Sequence, residues 1–441
     1  MTDEPATARG SGGGHGMTVR GAAFLGIGSM VGAGIFALLG EAGAVAGAAV
    51  WISFLIAGAI AMLQGYAVAK LGATYPSSGG LVTFLLKAFG SGHLTAVTSW
   101  LLYFASLIVT AMVAVSFGNY GAALFAGPDA DPLVSRLLII GVVILVCVIN
   151  IAGARFIDRI QSAIVIILLA VFVVFIVVTL ATIDVSLLAP STYPPASDVI
   201  GSVALTFFAF LGFAVISFTG GDLPDPARSL PRAMFIALGV TTALYVLVSI
   251  GVFGTLPVEE VIRHGDTALA EAVRPVLGDA GFALMAVAAL LATSSSVTAN
   301  LYAAVGSTAK LAEETTFPPI FGQRARIGST RGLVISAILV LALALLVDLS
   351  AIASLGSAVA LGIFLITSFA ALRLRHQTES SLAMIMVGIL ATAGVLILFL
   401  VQTVQTEPVT FVAIVAILLL AVLLDQIWSR IRERRRARTA G

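Results

Sequence analysis

GIGSMVGAGIF, residues 26–36, lies early in the first long apolar stretch and holds four glycines in nine positions. Each interior glycine costs a helix about 1 kcal/mol relative to alanine. The segment therefore predicts either a helix that is broken inside the membrane or a close packing face. Gly28 and Gly32 form a GxxxG pair of the kind that lets two membrane helices approach each other. The spacing does not fit a dinucleotide-binding loop, which also needs a preceding strand.

The composition indicates a membrane protein. The chain has 441 residues, of which 59 % are hydrophobic and 10 % are charged, whereas soluble domains carry about 25 % charge. Its apolar blocks repeatedly reach the roughly 20 residues that a helix needs to cross a bilayer. The single cysteine, Cys147, excludes a disulfide framework and a site with several thiolate ligands.

The apolar blocks predict an all-α polytopic fold with about twelve transmembrane helices. Residues 1–19 are polar and glycine-rich, so we expect a disordered cytoplasmic tail, and residues 429–441 are expected to form a basic cytoplasmic tail. The predicted spans lie near residues 20–40, 43–69, 94–126, 134–153, 159–182, 198–220, 231–255, 279–311, 332–347, 350–372, 382–403 and 408–428.

The basic residues predict the orientation. With these spans, only Arg136, Arg263 and Arg274 of the 23 basic residues fall on the side opposite the termini. Because basic residues are retained on the cytoplasmic face, both termini are expected in the cytoplasm. Every charged residue can be placed in a loop or at a helix end, so we expect no charge in mid-membrane. Ion coupling would then use neutral oxygens, backbone groups or residues at the mouths of the pathway.

The sixth predicted span resembles the first in being interrupted. It contains TFFAFLGF, residues 206–213, and runs into a Pro-rich stretch, residues 220–232, that we interpret as a cytoplasmic loop. If spans 1–5 and 6–10 are inverted halves, two interrupted helices in matching positions indicate a binding site at the bilayer midplane. There, exposed amides would attract a carboxylate. The aromatic cluster suits closure over an apolar side chain, or ordinary packing.

Four motifs now carry a family resemblance. They are GIGSMVGAGIF, YPSSGG at residues 75–80, Asn150–Gly153, and FFAFLGF followed by DLPDPARSLPRA. In order and spacing they resemble the amino acid/polyamine/organocation permeases. The resemblance implies the fold of the leucine-type symporters, with two inverted repeats of five helices over residues 20–372, helices 11–12 over 382–428, discontinuous helices 1 and 6, and alternating access.

The resemblance also implies roles for individual residues. Amides of Gly32, Ala33 and Gly34 would bind a substrate carboxylate, and carbonyls near Ile27 or Phe207 would meet the amine. Phe208 would be an aromatic gate, and Leu211 would line the side-chain pocket. The predicted substrate-binding set is Ile27, Ser29, Gly32, Ala33, Gly34, Phe207, Phe208 and Leu211.

The chain departs from proton-coupled relatives at two positions. Leu168 and Ala214 stand where such members often carry a lysine and an acid. In the eighth span, the resemblance to the sodium site of the leucine-type symporters would make Thr293 and Ser294 ligands, together with carbonyls of Gly28 and Val31. Oxygen ligands suit a hard cation. The alternative is that both hydroxyls bond to carbonyls of their own helix.

Other polar residues give weaker signals. The four histidines are scattered through tails and loops, so we expect no metal site. Asp222 and Asp348 at helix ends are candidate proton acceptors. The run Arg430–Arg438 could contact anionic lipid, although a tail that fixes topology is the simpler interpretation. Neither a channel filter nor an H-E-x-x-H or G-x-S-x-G motif occurs, which argues against a channel and an enzyme.

These observations predict a multi-pass secondary transporter of the cell membrane, a symporter or exchanger for neutral or apolar amino acids. We expect an amino acid and the lipid bilayer as partners, no nucleic acid, no cofactor, and Na+ or H+ as the coupling ion. The alternatives are transport of a polyamine, an amine or another organic solute on the same fold, or a channel.

Overall fold

The computed structural model describes residues 17–77, 79–127, 130–152, 154–313, 317–323 and 330–439. Most of the predicted N-terminal tail, Gly153 of the 150–153 motif, and the basic residues Arg324 and Arg326 lie outside these ranges.

The described residues form α-helices joined by short turns and 3₁₀ segments. The helices are α1 Val19–Ala33, α2 Ile35–Ala46, α3 Val50–Thr74, α4 Gly80–Phe89, α5 His93–Ala126, α6 Pro132–Ala152, α7 Ala154–Ala181, α8 Ala196–Phe208, α9 Pro226–Phe253, α10 Val258–His264, α11 Ala268–Glu271, α12 Arg274–Glu313, α13 Arg331–Leu346, α14 Leu349–Arg373, α15 Leu382–Thr406 and α16 Pro408–Thr439.

Ten helical stretches of the described residues are long and apolar enough to cross a membrane. The predicted first and ninth spans correspond to shorter apolar helices, because α1 ends at Ala33 and α13 has 16 residues. The prediction of an all-α polytopic membrane protein is therefore confirmed. The last helix, α16, runs eleven residues past the predicted end at residue 428.

The first predicted span is interrupted, but over a single residue. α1 ends at Ala33 and α2 begins at Ile35, with Gly34 between them at φ −92° and ψ −77°. The next turn lies at Gly47, whose φ of +53° is a left-handed conformation that favours glycine. The predicted boundary between residues 40 and 43 is thus wrong, and Glu41 lies inside α2 rather than at a helix end.

The sixth predicted span is also interrupted. α8 ends at Phe208, Ala209 and Phe210 form a turn, and Leu211–Gly221 continue as a 3₁₀ helix. Runs of 3₁₀ helix longer than three or four residues are uncommon because their hydrogen bonds have poorer geometry. An eleven-residue run is therefore an unusual conformation for this half of the span. We call Leu211–Gly221 the 3₁₀ segment.

Glycines allow the helices to pack closely. On α3, Gly58, Gly65 and Gly72 recur at seven-residue intervals, and a Cβ added at any of them would lie 2.5 Å from a side chain of α9. Small residues at this spacing let helix backbones approach in a membrane. The resulting α3–α9 contact forms a scaffold against which α1 and the 3₁₀ segment pack.

Candidate functional site

The two interrupted helices cross at Gly212. A Cβ added to Gly212 would lie 2.6 Å from the backbone nitrogen of Met30 and 2.7 Å from the carbonyl carbon of Ser29. The 3₁₀ segment therefore meets α1 backbone to backbone, four to five residues before the break at Gly34. Only glycine permits this approach, because the atoms it meets belong to main chain and cannot rotate away.

Tyr245 of α9 connects the two interruptions. Its hydroxyl lies 2.6 Å from the carbonyl oxygen of Met30 and 3.2 Å from that of Ala209, and its side chain is fully buried. The ring packs against Phe54 and Phe210, with centroids 5.2 and 5.0 Å away. A phenol has one proton to donate, and the shorter distance assigns it mainly to Met30. No sequence motif singles out Tyr245.

Gly34 lies beneath this hydroxyl. An added Cβ would collide with the Tyr245 oxygen and lie 2.8 Å from the carbonyl oxygen of Ala209. In this conformation the Gly34 N–H donates to the Met30 carbonyl at 2.7 Å, so its amide already has a partner. The break is a distortion of the backbone at one residue, and the helical hydrogen bonds on both sides continue.

The neighbouring predicted residues of α1 are buried. Gly32 faces α12, where an added Cβ would lie 2.7 Å from Cβ of Ser296, so it serves as a packing glycine. Ile27 and Ala33 are 2 % and 6 % exposed. Ser29 is fully buried, and its Oγ has no hydrogen-bond partner among the described residues. A buried hydroxyl without a hydrogen-bond partner destabilises the fold, and a bound ligand could supply that partner. Among the predicted site residues, Ser29 is therefore the side chain best placed to gain a hydrogen bond from a ligand.

Phe207 and Phe208 pack against α14 in this conformation. Phe208 covers Gly356, where an added Cβ would collide with its ring. Phe207 contacts Phe364 edge to face at 5.7 Å, and Phe213 of the 3₁₀ segment stacks on the same ring at 4.8 Å. These rings fix α8 and the 3₁₀ segment against α14.

A cavity lies beside the 3₁₀ segment, between α4, the first half of α5 and the second half of α12. Of the predicted site residues, Leu211 lines it. Polar side chains from α5 and α12 also line it, and none of the lining residues that the structure describes is charged. The lining residues are Leu81, Val82, Ser99, Leu102, Tyr103, Ala105, Ser106, Leu211, Ala214, Val215, Phe218, Asn300, Ala303, Ser307, Thr308 and Leu311.

The helix directions place this cavity toward one face of the membrane. Ser99 and Ser106 lie in the first half of α5, which begins at His93, shortly after Lys87. Phe218 lies close to the end of the 3₁₀ segment, which leads to Arg228. The cavity is therefore nearer to the side on which the basic residues concentrate.

The hydroxyls of the predicted cation site are bonded within α12. Thr293 Oγ1 donates to the carbonyl of Ala289 at 2.6 Å, and Ser294 Oγ donates to that of Leu291 at 3.0 Å. These are the back-bonds expected of helical hydroxyls. A hydroxyl that donates its proton still has lone pairs for a cation. Gly28 and Val31, whose carbonyls complete the predicted set, are buried in α1, the helix that packs on α12 through Gly32.

The ionisable residues of the described ranges form no group of three or more that could hold a metal. Of the two positions that depart from proton-coupled relatives, Leu168 is buried and Ala214 lines the cavity. Asp348 occupies the N-cap position of α14 without a capping bond from its side chain, and the Asp222 carbonyl accepts a hydrogen bond from Met17 N–H at 3.1 Å.

Asp266 is a buried acid that the sequence does not single out, because its position between α10 and α11 is typical of a polar loop. Asp266 is 8 % exposed, and its carboxylate accepts hydrogen bonds from Asn119 Nδ2 at 3.2 and 3.4 Å. Burial raises the pKa of this carboxyl to about 7. Asp266 lies at the far end of α5 from the cavity.

A polytopic bundle with two interrupted helices that cross at its centre defines a multi-pass membrane transport protein. The chain belongs to the amino acid permease family, whose sequence model matches residues 17–423. It is thus a transporter and not an enzyme.

Three relatives illustrate the range of the family. Inner membrane transport protein YbaT of Escherichia coli K12 is 31 % identical over 92 % of this chain and 94 % of its own length. The methylthioribose transporter of Bacillus subtilis is 28 % identical over 68 % of this chain and 67 % of its own. The serine/threonine exchanger SteT of the same bacterium is 27 % identical over 59 % and 60 %.

Proposed function

We propose that this protein is a secondary transporter that moves neutral or apolar amino acids across the cytoplasmic membrane by alternating access, with both termini in the cytoplasm. The observation that carries the proposal is the crossing of the two interrupted helices at Gly212, with the Tyr245 hydroxyl 2.6 and 3.2 Å from carbonyl oxygens at the two interruptions. Such crossings present main-chain groups to a solute in mid-membrane.

The proposed binding set follows the family pattern. Amides of Gly32, Ala33 and Gly34 bind the carboxylate, carbonyls of Ile27 and Phe207 bind the amine, and the free Ser29 hydroxyl adds a hydrogen bond. Because the Gly34 N–H now donates to Met30, the substrate carboxylate must replace the Met30 carbonyl as its acceptor. Binding would therefore loosen the helical turn at Gly34.

The cavity supports the choice of a neutral side chain. It combines Leu102, Leu211 and Val215 with uncharged hydroxyls and the Asn300 amide. A substrate with an unpaired charge in its side chain would lose hydration without gaining a counter-charge there. Leu211 is the proposed contact for the substrate side chain, and Phe208 would close over it after leaving Gly356.

Two coupling ions are compatible with these residues. Na+ would bind the oxygens of Thr293 and Ser294 with the carbonyls of Gly28 and Val31, whereas H+ would need an acid that changes environment during the cycle. A second candidate function, transport of another organic solute, is favoured by the relative that is a methylthioribose transporter.

Uptake into proteoliposomes tests the proposal. Radiolabelled L-alanine, L-leucine and L-serine would be supplied with an inward Na+ gradient, an inward H+ gradient or neither, and putrescine and methylthioribose would serve as competitors. We expect saturable uptake of at least one of these amino acids. Protein-free liposomes provide the background. Saturable uptake of putrescine or methylthioribose, with no competition by any common amino acid, would assign the protein to the second function.

A further inference from the structure

The segment Val258–Glu271, which we call the outer segment, packs on α2 and α5 at the membrane face opposite the cavity. Gly40 of α2 meets its backbone, since an added Cβ would lie 2.5 Å from the carbonyl carbon of Gly265 and 3.1 Å from the nitrogen of Asp266. From α5, the Tyr120 hydroxyl donates to the Asp266 carbonyl at 2.5 Å. The outer segment therefore joins the second half of the first broken helix to α5.

The Asp266 carboxylate is enclosed by this contact. Its hydrogen-bond donor is the Asn119 amide, which is itself held by Ser135, whose hydroxyl donates to Asn119 Oδ1 at 2.7 Å. The Ser116 hydroxyl of α5, which donates to the Phe36 carbonyl at 3.3 Å, also favours the ionised carboxylate. Amide and hydroxyl dipoles solvate an anion less well than water does. They therefore offset only part of the free energy that the carboxylate loses on leaving water.

The charged and titratable groups around Asp266 do not neutralise it. Glu41 of α2 acts on it with a like charge, and Tyr120 of α5 bonds only its backbone. In the outer segment, His264 lies 3.8 Å from Glu271, and Glu271 also binds Arg274 at 2.9 Å. Within the described residues, no Lys, Arg or His forms an ion pair with Asp266.

We propose that Asp266 is a proton-binding site of the transport cycle: the outer segment docks on α2 and α5 when the carboxyl has taken a proton from the adjacent aqueous phase, and undocks when it is ionised and hydrated. The proposal rests on the proposed function for its role in transport. The proton is the only species transferred, from water to the carboxylate oxygen and back. Docking would close the outer end of α2 over the site at Gly34.

The direction of the pH effect follows from linkage. The docked carboxyl has a pKa of about 7, and the hydrated one is expected near the ordinary aspartate value of about 3.9. Because the docked state binds the proton more tightly, docking is favoured as the pH falls through 7 and is lost as it rises. Between pH 8 and pH 6 the docking equilibrium constant should increase about tenfold.

A distance measurement tests this without reference to any substrate. Spin labels would be placed at Ile262→Cys and Phe125→Cys, both exposed positions, in full-length protein with Cys147→Ala in lipid nanodiscs. Double electron–electron resonance should show a short-distance population that grows from pH 8 to pH 6, with a midpoint at or below pH 7 because the ionised form is mostly undocked. The variant D266N should keep the short distance at every pH.

Two further variants keep the test decisive if D266N folds poorly. Glu41→Gln removes the like charge, so the midpoint should move to lower pH. Asp279→Asn removes an exposed carboxylate from the same face and should leave the midpoint unchanged. A pH-independent distance in the parent protein, or the parent's pH dependence in D266N, would overturn the proposal. Uptake that fails while these distances behave as expected would count against the proposed function alone.

Discussion

The hydroxyl of Tyr245 lies 2.6 Å from the carbonyl oxygen of Met30, the same oxygen that accepts the Gly34 N–H. A side chain of α9 thereby holds the last turn of α1 next to the distorted residue Gly34. Because α9 packs closely on α3 at Gly58, Gly65 and Gly72, the contact between these two helices determines the position of the break. A substrate carboxylate that takes the Gly34 N–H would leave Met30 with Tyr245 as its remaining partner.

Replacing Tyr245 by phenylalanine should therefore impair transport more than folding. The ring contacts with Phe54 and Phe210 remain, but the Met30 carbonyl loses its second donor. A net hydrogen bond is worth about 1 kcal/mol, so initial uptake should fall about fivefold. Tyr193→Phe, which removes the acceptor of the Trp51 N–H, is the matched control. Equal uptake by the two variants would contradict the role given to Tyr245.

Gly212→Ala should destabilise the protein and abolish uptake. The added methyl group would meet the backbone of Ser29 and Met30, which cannot yield without moving α1. Overpacking of this kind costs about 1–3 kcal/mol. Thermal unfolding in detergent and uptake would be measured beside Gly362→Ala, where no heavy atom lies within 4 Å of the new Cβ. Parent-like stability of Gly212→Ala would show that the crossing is looser than the structure indicates.

Leu211→Trp should narrow the cavity and change specificity. The larger ring would occupy space that a bulky substrate side chain needs. The inhibition constant of leucine should therefore rise at least about tenfold more than that of alanine. Inhibition constants against labelled alanine provide the measurement. Leu390→Trp, at a 66 % exposed position of α15, adds the same ring outside the cavity. Equal losses of affinity for leucine and alanine would show that Leu211 does not contact the substrate side chain.

The proposed orientation can be tested by labelling from one side. On a Cys147→Ala background, Asp279→Cys and Arg228→Cys place thiols where the native side chains are 95 % and 80 % exposed. In intact cells an impermeant maleimide should label position 279 and reach position 228 only after permeabilisation. The reverse pattern would place the termini outside, against the distribution of basic residues.

The sequence was sufficient for the helical architecture and for both interruptions, because glycine-rich and aromatic–glycine segments stand out in long apolar runs. The predicted boundary after the first span, at Glu41, is wrong, because a charged residue in an apolar run does not by itself mark a loop. The actual turn is at Gly47, where the backbone needs a positive φ. A half-buried acid inside a helix gives no signal of its own in a single sequence.

The details of the site were harder to predict, because they depend on contacts between distant helices. Phe208 suits an aromatic gate by motif, yet its place against Gly356 of α14 follows only from the packing. Tyr245 is one of several aromatic residues in an apolar helix, and Asp266 is one of several charged residues near a polar loop, so neither stands out in the sequence. Their partners, Met30 and Asn119, lie 215 and 147 residues away in the chain.

The 3₁₀ form of residues 211–221 makes this half-helix a stretched element. At about 2.0 Å per residue, its eleven residues are about 5 Å longer than the same residues in an α-helix, which rises about 1.5 Å per residue. Recoiling into α form would shorten it by one full helical turn's rise and swing Phe218 about 140° around the axis relative to Leu211. A change in winding alone could thus reshape the wall of the cavity while Gly212 stays in place against Met30.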